Sequence, residues 1–210
     1  MRVGKFLEHM QAALKATAIQ DPVVSYTAIG RQLGYGSYLI LDQLQWVRSV
    51  QGASLPSLRL TLFLFSSLLF FFSIQLHGSK AYQFSPETHK TIAKNAARFW
   101  LIGLSFSLVS GSYKTYVLRQ RLASAKRPRA TAEKEAERKI ETQQIHTEQA
   151  GVYFQMTQDA LDWLIPATGA DLLDLDEGVL GLAGLATSLM GARTQWRAVN
   201  GLAGAAAAKK

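Results

Sequence analysis

The sequence predicts an all-α protein, an integral membrane helical bundle that opens on an amphipathic helix lying in the membrane interface. Three observations carry that prediction. Charge is strongly segregated, one stretch is long and apolar enough to cross a bilayer, and the first residues repeat with the helical period. The overall figures conceal this, since 48% of the residues are hydrophobic, 18% are charged and the mean hydropathy is +0.04. Yet Lys114 to Glu148 holds nine Lys/Arg and five Glu, while other segments carry no charge at all. Wet connectors between embedded helices segregate charge in this way, whereas a soluble surface intersperses it.

Residues 2–19 form the first predicted helix. Val3, Phe6, Leu7, Met10 and Leu14 recur at three- and four-residue steps, which gathers them on one face for insertion among acyl chains. Arg2, Lys5, His9 and Ala12 share another face, with Lys15 near its edge, and Arg2, Lys5 and Lys15 are placed to meet lipid headgroups. The arrangement also suits an ordinary surface helix packed on a core. Asp21-Pro22 is expected to close this element, because proline lacks a donor and obstructs the preceding turn.

Residues 23–50 read as a second helix, apolar through Leu39, Ile40, Leu41, Leu44, Trp46 and Val47. Gly30, Gly34 and Gly36 would weaken it in water and make sense where another helix approaches its backbone. Arg31, Asp42 and Arg48 argue against a full crossing here. Beyond Pro56, Leu60 to Ser79 runs twenty residues without Lys, Arg, Asp or Glu. As a helix it would cover roughly 30 Å, the thickness of a hydrocarbon core. Arg59 and Lys80 flank it and can reach the headgroups on either side. It is the first expected crossing. Phe99 to Tyr113, also uncharged, is shorter than a full crossing; a shortened span, a partly embedded helix and a packed bundle helix all fit it.

A charged connector is expected over 119–150, broken at Lys126-Arg127-Pro128-Arg129 and then helical with a solvated face from Ala132. The final region, 151–210, begins with an amphipathic helix, Val152 to Ile165, expected to end at Pro166. Residues 159–177 hold six acids and no base, in a spacing that does not fit a calcium loop. Asp176 and Glu177 instead favour a helix N-terminus. The uncharged helix from Gly178 to Ala192 is the second expected crossing, and its small residues, among them Gly181, Gly184, Ser188 and Gly191, suit close helix association. Arg193, Trp196 and Arg197 follow as interfacial anchors. The organisation expected is therefore a basic amphipathic helix over 1–21, membrane-associated helices over 22–118, the connector, and the C-terminal helices.

Chemistry is not expected. The chain has no cysteine, which excludes disulfides, thiolate metal sites and a cysteine nucleophile. His9, His77, His89 and His146 are scattered without metal-ligand spacing, and no phosphate-binding glycine loop or nucleophile elbow is present. No cofactor and no enzymatic activity are predicted. The net charge of +8 is compatible with nucleic acid, anionic lipid or a positive-inside membrane protein. The apolar segments favour the last two, and no nucleic-acid partner is expected.

Four blocks in order, RVGKFLEHMQAA (2–13), GYGSYLILDQLQW (34–46), RFWLIGLSFSLVSGSYK (98–114) and QDALD through DEG to Gly191 and Trp196, resemble the peroxin-11 family of peroxisomal membrane proteins. The resemblance implies a multi-pass protein of the peroxisomal membrane with both termini cytosolic, hence an even number of crossings. It implies elongation and proliferation of peroxisomes, with membrane lipids, further copies of the chain and organelle fission machinery (an adaptor and a dynamin-type GTPase) as partners. It implies, as a second reading, an oligomeric pore for small metabolites. Two departures stand out: the sequence opens directly on the amphipathic helix, where the family carries a preceding segment, and Leu60–Ser79 is more apolar than the family pattern at that position.

Overall fold

The computed structural model describes residues 5–51, 86–125 and 132–207. These form five α-helices: α1 Lys5–Ala16, α2 Pro22–Gln51, α3 Pro86–Ala125, α4 Ala132–Gly169 and α5 Glu177–Ala207. Among the described residues there is no strand, so the all-α expectation holds there. The packing divides into two units. One takes in the described residues up to Gly103 together with Gly169–Asp171, and the other takes Leu104–Thr168 and the residues from Leu172 onward. The single helix α3 supplies its first half to one unit and its second half to the other.

In the first unit α1 and α2 form an antiparallel hairpin, with Ser25 opposite Ala16 and Gly36 opposite His9. Asp21-Pro22 opens α2 instead of closing α1. The Asp21 carboxylate accepts from the backbone N–H of Val23 and Val24, at 2.9 and 3.3 Å, and Pro22 takes the first helical position, where a missing N–H costs nothing. The last turn of α1 tightens through i→i+3 bonds, such as Thr17 N–H to the Leu14 carbonyl at 3.3 Å. Helix α2 also packs on α3. A Cβ on Gly34 would lie 2.7 Å from both Cα and N of Gly103, so the two backbones touch at glycine. Tyr38 stacks on Trp100 beside this contact, with ring centroids 5.1 Å apart. At the end of α4, Asp171 adopts φ 59°, and the Leu172 N–H reaches back to the Ala167 carbonyl at 2.9 Å, a Schellman closure. The Lys94 ammonium, 2.6 Å from the Asp171 carboxylate, holds that carboxyl below its ordinary value.

The second unit mixes apolar and polar packing. Leu118, Ala125 and Ile145 form a buried cluster, flanked by Leu122 and Val152. Further along, Asp159 is 3% exposed and accepts from Ser107 Oγ at 2.5 Å and Gln155 Nε2 at 2.8 Å, while Trp163 Nε1 donates to Ser105 Oγ at 3.2 Å. A buried carboxylate with two donors avoids the cost of an unpaired one. Helix α4 runs through Pro166 to Gly169, against the expectation that it would stop there. Proline forfeits one backbone bond, but its side chain is fully buried beside Ala167, and packing holds the helical path. Asp176 caps α5 as expected, accepting from Gly178 N–H at 2.8 Å.

No helix among the described residues is long and apolar enough to cross a membrane. This includes α5, where the crossing at 178–192 was expected: its uncharged run stops at Arg193, and glycines and alanines dilute its hydropathy. The Phe99–Tyr113 run lies within the longer α3, with Leu101, Leu104 and Ser107 buried and Phe99, Ile102, Phe106 and Val109 exposed. The expected crossing at Leu60–Ser79 lies outside the described residues.

Two predictions follow from this packing. Gly34→Ala should destabilise the fold by about 1–3 kcal/mol, because only backbone atoms can yield. Gly111→Ala should cost less, because its obstacle is the flexible Met156 side chain; thermal unfolding followed by circular dichroism compares the two. The Asp162 carboxyl is raised above its ordinary value, chiefly by burial and further by Asp159, against a lowering hydrogen bond from Thr187. The folded state thus binds this proton more tightly than the unfolded chain. Its contribution favours the fold below the ordinary value of 3.8 and is lost as pH rises through the folded value. Asp162→Asn should therefore raise the melting temperature at about pH 7 and leave it nearly unchanged at about pH 3.

Candidate membrane interface

Helix α1 carries the residues expected to enter the membrane, and the structure separates them by size. Its buried positions are Ala13 and Ala16, which lie against α2. Leu7 is 53% exposed, Leu14 72% and Met10 38%, while Phe6 is half-buried. Leu7 and Leu14 therefore stand clear of the hairpin contact that Ala13 and Ala16 enter, while the Met10 methyl reaches toward Gly36 of α2. Lys5 and Lys15 are exposed, and Arg2 and Val3 lie outside the described residues.

His9 and Ala12, placed by the sequence reading on the basic face, belong to the packing side. The His9 ring stacks on Tyr35 with centroids 5.7 Å apart, and its Nδ1 lies 2.6 Å from Gln32 Oε1. Ser25 Oγ donates at 2.9 Å to the Ala16 carbonyl, which also accepts from the Ile19 N–H at 3.2 Å. A Cβ on Gly36 would approach His9 Cβ at 3.8 Å, an ordinary contact. The sequence signal for this face was present in the alanines at 13 and 16 and the histidine at 9, which share the helical step. A twelve-residue helix is marginal alone in water, and docking on α2 supplies what propensity does not. The apolar stripe is consequently presented on a helix already formed.

The residues expected to associate helices fall on two sides of α5. Gly184 lies against Ile165 and Gly191 against Gln158, both on α4, where the buried Ala183 and Thr187 also sit. Gly181 and Ser188 are exposed, on the arc that also exposes Leu182, Leu185 and Leu189. Arg193 lies over the Phe154 ring at 5.6 Å, a cation–π contact at the end of this pairing.

Among the described residues no group of three or more His, Asp or Glu is placed to hold a metal ion. A shallow depression on α4, lined by Ile140, Gln143, Gln144, Thr147 and Glu148, combines one carboxylate with amides and a hydroxyl and contains no nucleophile–base pair. What the first unit does offer is a basic, amphipathic helix with its apolar side open.

The chain is 25% identical over 215 residues to the peroxisomal membrane protein PMP30B of Candida boidinii, covering 94% of this chain and 72% of that protein. It is likewise 25% identical over 211 residues to PMP30A of the same yeast, with the same coverage. No solved structure matches it. The sequence pattern described as peroxisomal biogenesis factor 11 (PEX11) matches residues 1–80 and 60–196. With that pattern spanning most of its length, the chain belongs to the PEX11 family of peroxisomal biogenesis factors.

Proposed function

We propose that this chain is a peroxisomal membrane protein that elongates the membrane by inserting α1 into one leaflet, and so promotes peroxisome proliferation and fission. The observation that carries the reading is the open stripe of Leu7, Met10 and Leu14 on a helix whose opposite side is already docked. Inserting the stripe expands the leaflet it enters relative to the other, which favours curvature. Because α1 is folded beforehand, ordering it does not consume the insertion energy. Lys5 and Lys15 add attraction to anionic headgroups.

Self-association is the second part of the proposal. The exposed arc of α5, with Leu182, Leu185, Leu189, Gly181 and Ser188, can bring copies together and concentrate the wedges along a tubule. An adaptor and a dynamin-type GTPase are the partners proposed to cut the tubule so formed. The peroxisomal setting follows from family membership and from the two yeast relatives, both peroxisomal membrane proteins.

Burying one exposed leucine completely is worth about 1.5–3 kcal/mol, so the double variant Leu7→Asp/Leu14→Asp should weaken vesicle binding at least about tenfold. It should also abolish tubulation of liposomes by the purified chain. Helicity should be retained, since neither residue supports the hairpin. Undiminished tubulation by a folded double variant would sink the wedge.

A further inference from the structure

We infer that the lipid-contact surface is a face of the whole first unit, built by α1, α2 and the first half of α3 together, with an anionic bilayer surface as its occupant. The inference rests on the membrane reading of α1 and extends it to residues on two other helices.

The two neighbours of α2 leave it one open side. Ser25, Gln32 and Gly36 face α1, whereas Gly34, Tyr35 and Tyr38 face α3. The remaining side carries Val23, Tyr26 and Leu33, all exposed, with Tyr26 at 73%. Both neighbours run antiparallel to α2, since Gly34 meets Gly103 where Tyr38 meets Trp100, and Ser25 meets Ala16 where Gly36 meets His9. Turning each helix to satisfy those contacts, at about 100° per residue, brings two more exposed sets to the same side. These are Leu7, Met10 and Leu14 on α1, and Phe99 and Ile102 on α3.

Among the described residues this face contains no charged side chain. The ionic side chains of the unit lie elsewhere: Arg31 over the Tyr35 ring, Lys94 on Asp171, Glu8 and Lys5 on the far arc of α1. An exposed cation stands at the α3 border, Arg98 one turn before Ile102, whereas Lys15 lies seven residues from Glu8 and shares the charged arc of α1. An apolar centre bordered by a cation complements acyl chains beneath anionic headgroups. The peroxisomal membrane setting of the family favours a bilayer over a second copy as the occupant.

The chain lacks cysteine, so single-cysteine variants can each carry one environment-sensitive fluorophore. The full chain would be labelled at Leu14→Cys on α1, Leu33→Cys on α2, Ile102→Cys on α3, and Glu8→Cys on the charged side. Each would be mixed with vesicles of phosphatidylcholine and phosphatidylinositol, with and without a lipid-borne quencher. The expected result is a blue shift and quenching at 14, 33 and 102, and neither at 8. A response at 14 alone would overturn the three-helix face while leaving the α1 wedge intact. No response at any position on vesicle-bound protein would overturn both. A blue shift at 33 and 102 that grows with protein concentration in the absence of vesicles would assign the face to a second copy and overturn the lipid assignment.

Discussion

A helix can bury only one arc of its surface, and α1 uses that arc for its smallest residues. Ala13 and Ala16 close against α2 while Leu7 and Leu14 stay in the open. Burying the leucines would have removed more apolar surface from water, so this hairpin forgoes about 1.5–3 kcal/mol for each of them if no other surface ever covers it. The alanines allow close approach instead, and the contact is completed by specific polar groups: Ser25 on the Ala16 carbonyl and Gln32 on His9. The proposed insertion depends on that choice, because the same helix cannot both be held in place by its large side chains and offer them to a membrane.

The two units are held by different physics. In the first, glycine permits backbone contact, and at Gly34 and Gly103 the helices meet with no side chain between them. Such a contact fixes the rotation of α2 and therefore decides which of its residues remain outside. In the second, Asp159, Ser107, Ser105 and Trp163 knit α3 to α4 with directional hydrogen bonds, and Asp162 with Thr187 extends the polar seam to α5. Directional bonds inside a bundle specify register more than they add stability. The α5 glycines show the same division of labour, since Gly184 and Gly191 serve the contact with α4 and Gly181 does not.

For a PEX11 family member, the described helices leave an apolar side of α1 exposed next to exposed cations. A preformed, one-sided apolar helix can enter a leaflet without first paying for its own folding, and a shallow insertion bends a bilayer more effectively than a symmetric crossing. In the proposed insertion the cations of α1 would supply long-range attraction, which salt screens, and the apolar side chains the short-range grip.

By itself the sequence determined the helical class, the amphipathic first helix and the cap at Asp176. Each depends on local chemistry: residue period, and a carboxylate one residue before a helix start. The break expected at Lys126-Arg127-Pro128-Arg129 lies outside the described residues. It also showed that Gly34 needed a close neighbour, though not that the neighbour would be Gly103. Local chemistry misled at Asp21-Pro22 and at Pro166. The first pair serves equally well as a helix start, and the second proline sits in a packed interior that outweighs one lost hydrogen bond. Only the tertiary structure decided which arc of α1 is buried, because alanine and leucine both read as apolar in a periodic pattern and only the partner helix chooses between them. The same reason hid Tyr26, Leu33 and Ile102: an outward-facing apolar residue becomes recognisable once its neighbours have claimed the other sides of its helix.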